Sequence, residues 1–338
     1  VAISRRIALA ADVKQTPIPF WFMRGGTSRG PYFQRADLPE DLDALAKILV
    51  GVVGSGHPLN IDGIGGGNAV TTKVAMLSRS PDPWADIDYF FAQVGVEDGQ
   101  VDFKPSCGNI LTGVGPAAIE MGLMAASQGE TRVRIHAVNT GARVEAMVQT
   151  PDGAVEYGGD VQLDGVPGSA APVALQFMAT VGGIPGAVLP PGLVKDLDAN
   201  TDFFARMEKV RLAAGQAMGM GDVSKSVTPK FGLLAPAKDG GTIATRYFMP
   251  WRAHPTMAVP GAQCIASCVL TPGSVADGLC ARPGEAPAKI TLEHPIGTID
   301  VLVDVARVGD TVTIRSAGWV RTSRLVARGE LMIPRSLG

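Results

Sequence analysis

Apolar positions along this chain switch between strand and helix spacing, and the switches mark out its elements. The run Ile18, Phe20, Trp21, Phe22, Met23 predicts a strand over 18–23. It ends in the glycine-rich stretch Arg24-Gly25-Gly26-Thr27-Ser28-Arg29-Gly30, which reads as a polar turn before a strand resumes over 31–34. Leu42, Leu45, Ile48, Leu49 and Val52 fall on one helical face and predict a helix over 38–53. A second glycine loop, Ile61-Asp62-Gly63-Ile64-Gly65-Gly66-Gly67-Asn68, leads into a Val/Thr-rich strand over 70–76 that carries Lys73. Another strand is expected over 87–94, with a turn at Glu97-Asp98-Gly99. The polar turn Pro105-Ser106-Cys107-Gly108-Asn109 then opens a helix written by Ile110, Leu111, Val114, Ala117, Ala118 and Met121. Pro116 predicts a kink or a restart inside it.

Downstream, strands are predicted over 131–138, 143–149 and 154–157, the last two joined by Pro151-Asp152-Gly153. Proline and glycine punctuation over 165–172 marks a domain boundary, and a strand over 173–179 opens the second half. A helix follows over 203–218, with Thr201 as N-cap and Phe203, Met207, Val210 and Ala214 aligned. Then come a strand over 242–249 and a short helix over 260–270, bracketed by Pro260 and Pro272. Strands over 289–292, 298–303 and 311–315 precede a short closing segment. The order is mostly strands with one central helix per half. Cys107-Gly108-Asn109 and Val259-Pro260-Gly261-Ala262 both lead through glycine into an apolar helix. That suggests a ligand held between two helix N-termini.

Composition narrows the function. A chain of 338 residues suggests two domains. Hydrophobic content of 46% with 18% charged residues argues against disorder. A net charge of −2 gives no electrostatic case for nucleic acid or an anionic membrane. No apolar run is long enough to cross a bilayer. The stretch over 4–12 imitates a signal peptide, but its apolar core is short and Asp12 ends it, so it reads as a ragged or tag-derived extension. The four cysteines, Cys107, Cys264, Cys268 and Cys280, lack zinc-site spacing. They suit reduced thiols in the cytoplasm and no metal, with Cys264 and Cys268 read as core. The 42 glycines cluster in loops, where backbone can approach a ligand.

Two residues carry the candidate chemistry. A thiol at the start of a helix meets unpaired N–H groups and the positive end of the helix dipole, which favour a thiolate at Cys107 and a carboxylate bound beside it. A buried, unreactive cysteine is the other reading. Lys73 either snorkels out of its apolar strand or stays partly desolvated as a general base. Arg24, Arg246 and His254 could hold carboxylates or simply form surface ion pairs. His57, His136 and His294 show no partner spacing and read as structural. Neither a dinucleotide-binding turn nor a phosphate-binding P-loop fits Gly63-Ile64-Gly65-Gly66-Gly67, so no nucleotide cofactor is expected.

Met23-Arg24-Gly25-Gly26-Thr27-Ser28-Arg29-Gly30, Ile61-Asp62-Gly63-Ile64-Gly65-Gly66, Thr71-Thr72-Lys73-Val74-Ala75 and Cys107-Gly108-Asn109-Ile110-Leu111 together resemble the methylaconitate isomerase (PrpF) family. Further matches are Asp164-Gly165-Val166-Pro167-Gly168, Met220-Gly221-Asp222, Pro229-Lys230 and Gly318-Trp319-Val320-Arg321-Thr322-Ser323-Arg324. Within the family the pattern is most similar to the 4-oxalomesaconate tautomerase/Δ-isomerase branch. The resemblance implies an α+β, diaminopimelate-epimerase-like fold. Two similar lobes would each wrap a curved, mostly antiparallel sheet round a central helix, with the active site in the cleft. One lobe would span 17–165 plus 318–338 and the other 166–317.

The implied reaction is a cofactor-independent 1,3-allylic proton shift on an unsaturated polycarboxylate, with Lys73 as base and Cys107 as acid or substrate anchor. The implied substrate contacts are Arg24, Gly25, Gly26, Thr27, Ser28, Gly65, Gly66, Thr72, Gly108, Asn109, Arg246, His254, Pro260, Gly261 and Ala262. A homodimer without metal is expected. A 2-methylaconitate cis-trans isomerase is the alternative. An amino-acid racemase of the same fold would need a second thiol where this chain has Ala258, and a non-catalytic carboxylate-binding protein is a third reading. The chain also departs from the family. A segment is missing between Leu193 and Asn200, Pro260 stands for Thr, and Thr72 stands for Ser.

Overall fold

The computed structural model describes residues 15–178, 199–254, 256–308 and 311–334. The predicted extension over 4–12 and most of the stretch from 193 to 200 lie outside them. The first strands are β1 (Gln15–Gly25), β2 (Ser28–Gln34), β3 (Lys73–Arg79), β4 (Ile87–Val94), β5 (Val101–Asp102), β6 (Gly129–Ala137), β7 (Ala142–Thr150) and β8 (Val161–Leu163). Then follow β9 (Val166–Ala170), β10 (Pro172–Met178), β11 (Phe231–Ala235), β12 (Ile243–Met249), β13 (Arg252–Ala253), β14 (Ala288–His294), β15 (Gly297–Val308) and β16 (Thr311–Pro334). The helices are α1 (Leu42–Val53), α2 (Gly108–Leu111), α3 (Val114–Glu120), α4 (Thr201–Ala217) and α5 (Val259–Leu270).

β1, β2, β3, β4, β6, β7, β10 and β16 pair in that order, and β16 pairs back onto β1, which closes the sheet into a ring. Alternation fills it. Val133 and Ile135 of β6 and Val144, Ala146 and Val148 of β7 point inward onto α2 and α3. β3 is buried on both faces. Ala75 and Leu77 join that core, while Val74 and Met76 meet Leu45, Ile48, Leu49 and Val52 of α1 outside the ring. The first part of β16 belongs also to a second layer, running through β15, β14, β12 and β11. Its core is Ile290, Leu292, Val301 and Val303 against Ala262, Ile265, Ala266 and Val269 of α5. Most pairs are antiparallel, but β2–β3, β4–β6 and β12–β14 are parallel, so the fold is mixed α/β around a closed sheet. Among the described residues, no helix is long and apolar enough to cross a membrane.

Several predicted elements shift. The turn expected over 24–30 shrinks to Gly26 and Thr27, because Gly25↔Ser28 and Arg24↔Arg29 already pair. α1 starts at Leu42, where Asp41 accepts the Ala44 N–H at 2.8 Å, and Leu42 itself is exposed. The helix after Cys107 breaks at Gly113 and restarts at Val114, which puts Pro116 in a first turn where its missing N–H is harmless. Residues 154–157 form no strand. α4 is capped by Asn200, not Thr201, and buries Arg211 where Val210 was expected. Cys264 is exposed rather than core. The closing segment is the longest strand among the described residues, since β16 runs on to Pro334.

Candidate active site

β3 and α2 bring the two predicted reactive groups together. Lys73 opens β3 and Cys107 is the N-cap of α2, and the Lys73 Nζ donates to the Cys107 Sγ at 3.2 Å. Two buried tyrosines hold α2 in place. Tyr89 donates its hydroxyl to the Cys107 carbonyl at 3.2 Å, and Tyr32 donates to the Ile110 carbonyl. Burial pushes both phenols well above their ordinary range, and the electrostatics of Cys107 add to it, so both remain donors.

The N-terminus of α5 meets that of α2. A methyl group on Gly108 would overlap the Val259 side chain, and one on Gly261 would overlap the Tyr247 ring. Only glycine permits this approach. Ala258 occupies the N-cap of α5 as Cys107 occupies that of α2, and neither cap makes a side-chain hydrogen bond to its helix. Asn109 lies beside the β1–β2 turn. Its Nδ2 donates to Thr27 Oγ1 at 3.1 Å, and Gly25 and Gly26 close against its carbonyl and side-chain oxygens. Asn109 Oδ1 and Ser28 Oγ are buried without partners.

His254 is buried within electrostatic reach of Lys73 and Lys230. Its Nδ1 accepts the Thr256 N–H at 3.1 Å, which leaves the proton of the neutral ring on Nε2. Burial, then the charges of Lys73 and Lys230, push its pKa down to about 3. Lys230 is the residue that sequence reasoning left without a role. Burial lowers its pKa first and Lys73 lowers it further, whereas Cys107 and Asp102 pull it up. Its only signal in the sequence was the matched pair Pro229-Lys230.

Other predicted contacts have different surroundings. Thr72 is fully buried with its hydroxyl on the Val94 carbonyl at 2.7 Å, because alternation turns it away from Lys73. Gly65 packs on Asn60 and Val53, and Gly66 on Thr71 and Arg29. Arg24 spends its Nη1 on the Gly26 and Thr322 carbonyls at 3.1 and 2.9 Å, bracing the β1–β2 turn. Burial, then Arg324, lowers its pKa. Pro260 is exposed and Ala262 sits in the second core. Arg246 lies on β12, where its Nη1 donates to the Thr245 carbonyl at 2.9 Å. Among the described residues, no three His, Cys, Asp or Glu side chains are grouped to hold a metal ion.

A solved methylitaconate-delta-isomerase superposes with a TM-score of 0.75 at 27% identity, covering 96% of this chain and 97% of its own. A hydroxyproline epimerase from Agrobacterium vitis shares the fold at a TM-score of 0.52 and 14% identity, over 95% and 94%. The fold is thus one shared with a methylitaconate isomerase and a hydroxyproline epimerase. The PrpF protein model matches residues 15–198 and 192–334, and the chain belongs to the PrpF family. The Escherichia coli (strain K12) protein YbhH is 45% identical over 94% of this chain and 99% of its own length. The (4E)-oxalomesaconate Delta-isomerase of Novosphingobium sp. is 42% identical over 95% and 99%. Those alignments run over 351 and 356 positions, more than the 338 residues here, and the family match divides at 192–198.

Proposed function

We propose that the protein shifts a double bond by 1,3-allylic proton transfer on an unsaturated tricarboxylate of the 4-oxalomesaconate type. The observation that carries this reading is the 3.2 Å contact of Lys73 Nζ with Cys107 Sγ, where the N-termini of α2 and α5 meet. Two lobes, one round α2 and α3 and one round α5, form the cleft that holds the substrate.

Lys73 takes the proton from the allylic carbon. The C–H electron pair enters the conjugated system and gives a dienolate. A new C–H bond then forms at the far end of the allyl unit, and the double bond moves. Lys73 or Cys107 returns the proton, and their contact keeps both on one side of the substrate. The dienolate charge is met by the uncapped N–H groups of α5 and the His254 Nε2–H, with Lys230 nearby. Ala258 where a second thiol would stand favours Lys/Cys chemistry over a two-thiol racemase. The four free thiols suit a reducing, cytoplasmic setting.

Proton NMR in D2O with 4-oxalomesaconate, and separately with methylaconitate, tests the reading. Deuterium should enter the allylic carbon of 4-oxalomesaconate. Lys73→Ala should slow exchange on the order of a hundredfold to ten-thousandfold. Exchange only with methylaconitate would move the substrate to the other branch, and exchange with neither would sink the isomerisation.

A further inference from the structure

Three arginines stand in one cross-strand row at the rim of the closed ring. In β1, Arg24 lies opposite Arg29 of β2 and opposite Arg324 of β16. Directly opposed residues of an antiparallel pair share a face, with Cβ atoms roughly 4.5–5.5 Å apart. The three side chains therefore rise next to one another from adjacent strands. Their face is the outer one. Met23 and Leu325, the chain neighbours of Arg24 and Arg324, turn to the ring's core, and Phe33, on the face of Arg29, packs with α1 outside it.

Such a row is unfavourable by itself, since like charges set directly opposite each other repel. Among the described residues none of the three arginines forms an ion pair. The groups that act on Arg24 electrostatically are Arg324 and the Tyr32 phenol, with no carboxylate among them. Arg24 is half-buried at the centre, its Nη1 donating to the Gly26 and Thr322 carbonyls, while Arg29 and Arg324 are exposed on either side. Arg29 is held in place. Its guanidinium lies over the Phe22 ring at 5.4 Å, and a methyl group on Gly66 would meet its Nη2 at 2.8 Å. The row is thus braced at its centre and at one end.

Guanidinium forks fixed side by side, without carboxylates of their own, match an oxyanion whose several oxygens accept from more than one fork. A monovalent anion would leave most of the repulsion in place. We propose that Arg29, Arg24 and Arg324 form an anion site on the outer rim of the ring, taking a compact oxyanion with two or more charges. The site is separate from the reacting pair, because Lys73 shares the inner face of β3 with Ala75 and Leu77, and Cys107 belongs to the inner core. It does not depend on the isomerase reading. An anion bound there ties β2, β1 and β16 together beside the turn in which Thr27 holds Asn109.

Thermal melts of the wild type, Arg324→Gln and Arg324→Lys test the site, in chloride alone and with phosphate or tricarballylate at matched ionic strength. In chloride, Arg324→Gln should melt no lower than the wild type, because it removes one of the repelling charges. Saturating phosphate or tricarballylate should raise the wild-type melting temperature by about 2–4 °C, and Arg324→Gln should lose most of that rise. Arg324→Lys keeps the charge without the fork and should retain part of it. The two probes separate an inorganic ion from a polycarboxylate, and the one whose rise depends more on Arg324 names the ligand. Tricarballylate can also enter the reaction chamber, so only the part of its effect lost in Arg324→Gln counts. Equal rises in the wild type and Arg324→Gln with both probes overturn the site, as does no rise beyond that in chloride. Arg324→Gln melting well below the wild type in chloride also overturns it, since the row would then be stabilising without an anion.

Discussion

A histidine enclosed by protein and faced by two lysines takes up a proton reluctantly, and His254 is held in that position. In the unfolded chain it protonates near the ordinary value of about 6.5. In the fold it does so only near about 3. Between those values the unfolded state binds more protons, so this contribution to stability is complete above about 6.5 and is lost as pH falls toward about 3. One proton limits the slope to about 1.4 kcal/mol per pH unit. His294, also held low by burial, adds with the same sign. Denaturant melts at stepped pH should show this loss, and His254→Gln should flatten the upper part of the window. A slope unchanged by that substitution would refute the burial argument.

The same scale shows what was legible beforehand. Lys73 and Cys107 stood out because each lies in a local motif whose neighbours announce a strand start and a helix cap. Strand alternation turns Thr72 away from Lys73, with its hydroxyl on the Val94 carbonyl. Lys230 comes within electrostatic reach of Lys73 and Cys107 from a position far along the chain, which no local spacing encodes.

At the scale of elements, the site depends on how closely two helix ends approach. Gly108 against Val259 sets that approach, and an added methyl must push α2 and α5 apart or deform Val259. Gly108→Ala should destabilise the fold by about 1–3 kcal/mol through overpacking, and should lower kcat by shifting Cys107 from Lys73. Val259→Ala would make room. The double variant should therefore lose less stability than the sum of the two single changes, as a double-mutant cycle by chemical denaturation would read. Strict additivity would mean that the two helix ends do not constrain each other. The helices themselves were readable from apolar spacing, but their ends were not. Asp41 and Asn200 cap α1 and α4 through bonds of 2.8 and 2.9 Å that compete with neighbouring polar residues for the role. The stretch over 154–157 has strand-like composition, yet its backbone contributes only two isolated bonds, Glu156 N–H to the Gln149 carbonyl at 2.9 Å and Ala171 N–H to the Tyr157 carbonyl at 3.1 Å, and no ladder.

Across the whole molecule, β16 makes the two cores mechanically one. Trp319 packs in the core of the closed ring, while Ala317, two residues earlier, packs in the second core under α5. Gln263 of α5 donates to the Ala317 carbonyl at 2.9 Å, and Val259, at the start of α5, is buried in the first core. Unfolding the second layer would therefore expose part of the ring and release one edge of β16. This coupling was invisible in the sequence, where residues after 315 read as a closing segment, because the length of β16 is fixed by its three partners and not by its own pattern. Ile290 offers a test, being fully buried in the second core far from the ring. Ile290→Ala should cost about 2–5 kcal/mol. Native-state hydrogen exchange should then lose protection by that amount in β1 to β4 as well as in β14 and β15, since both open in one cooperative event. Loss confined to β14 and β15 would show that the second layer opens alone, and β16 would then act as a hinge between separately stable units.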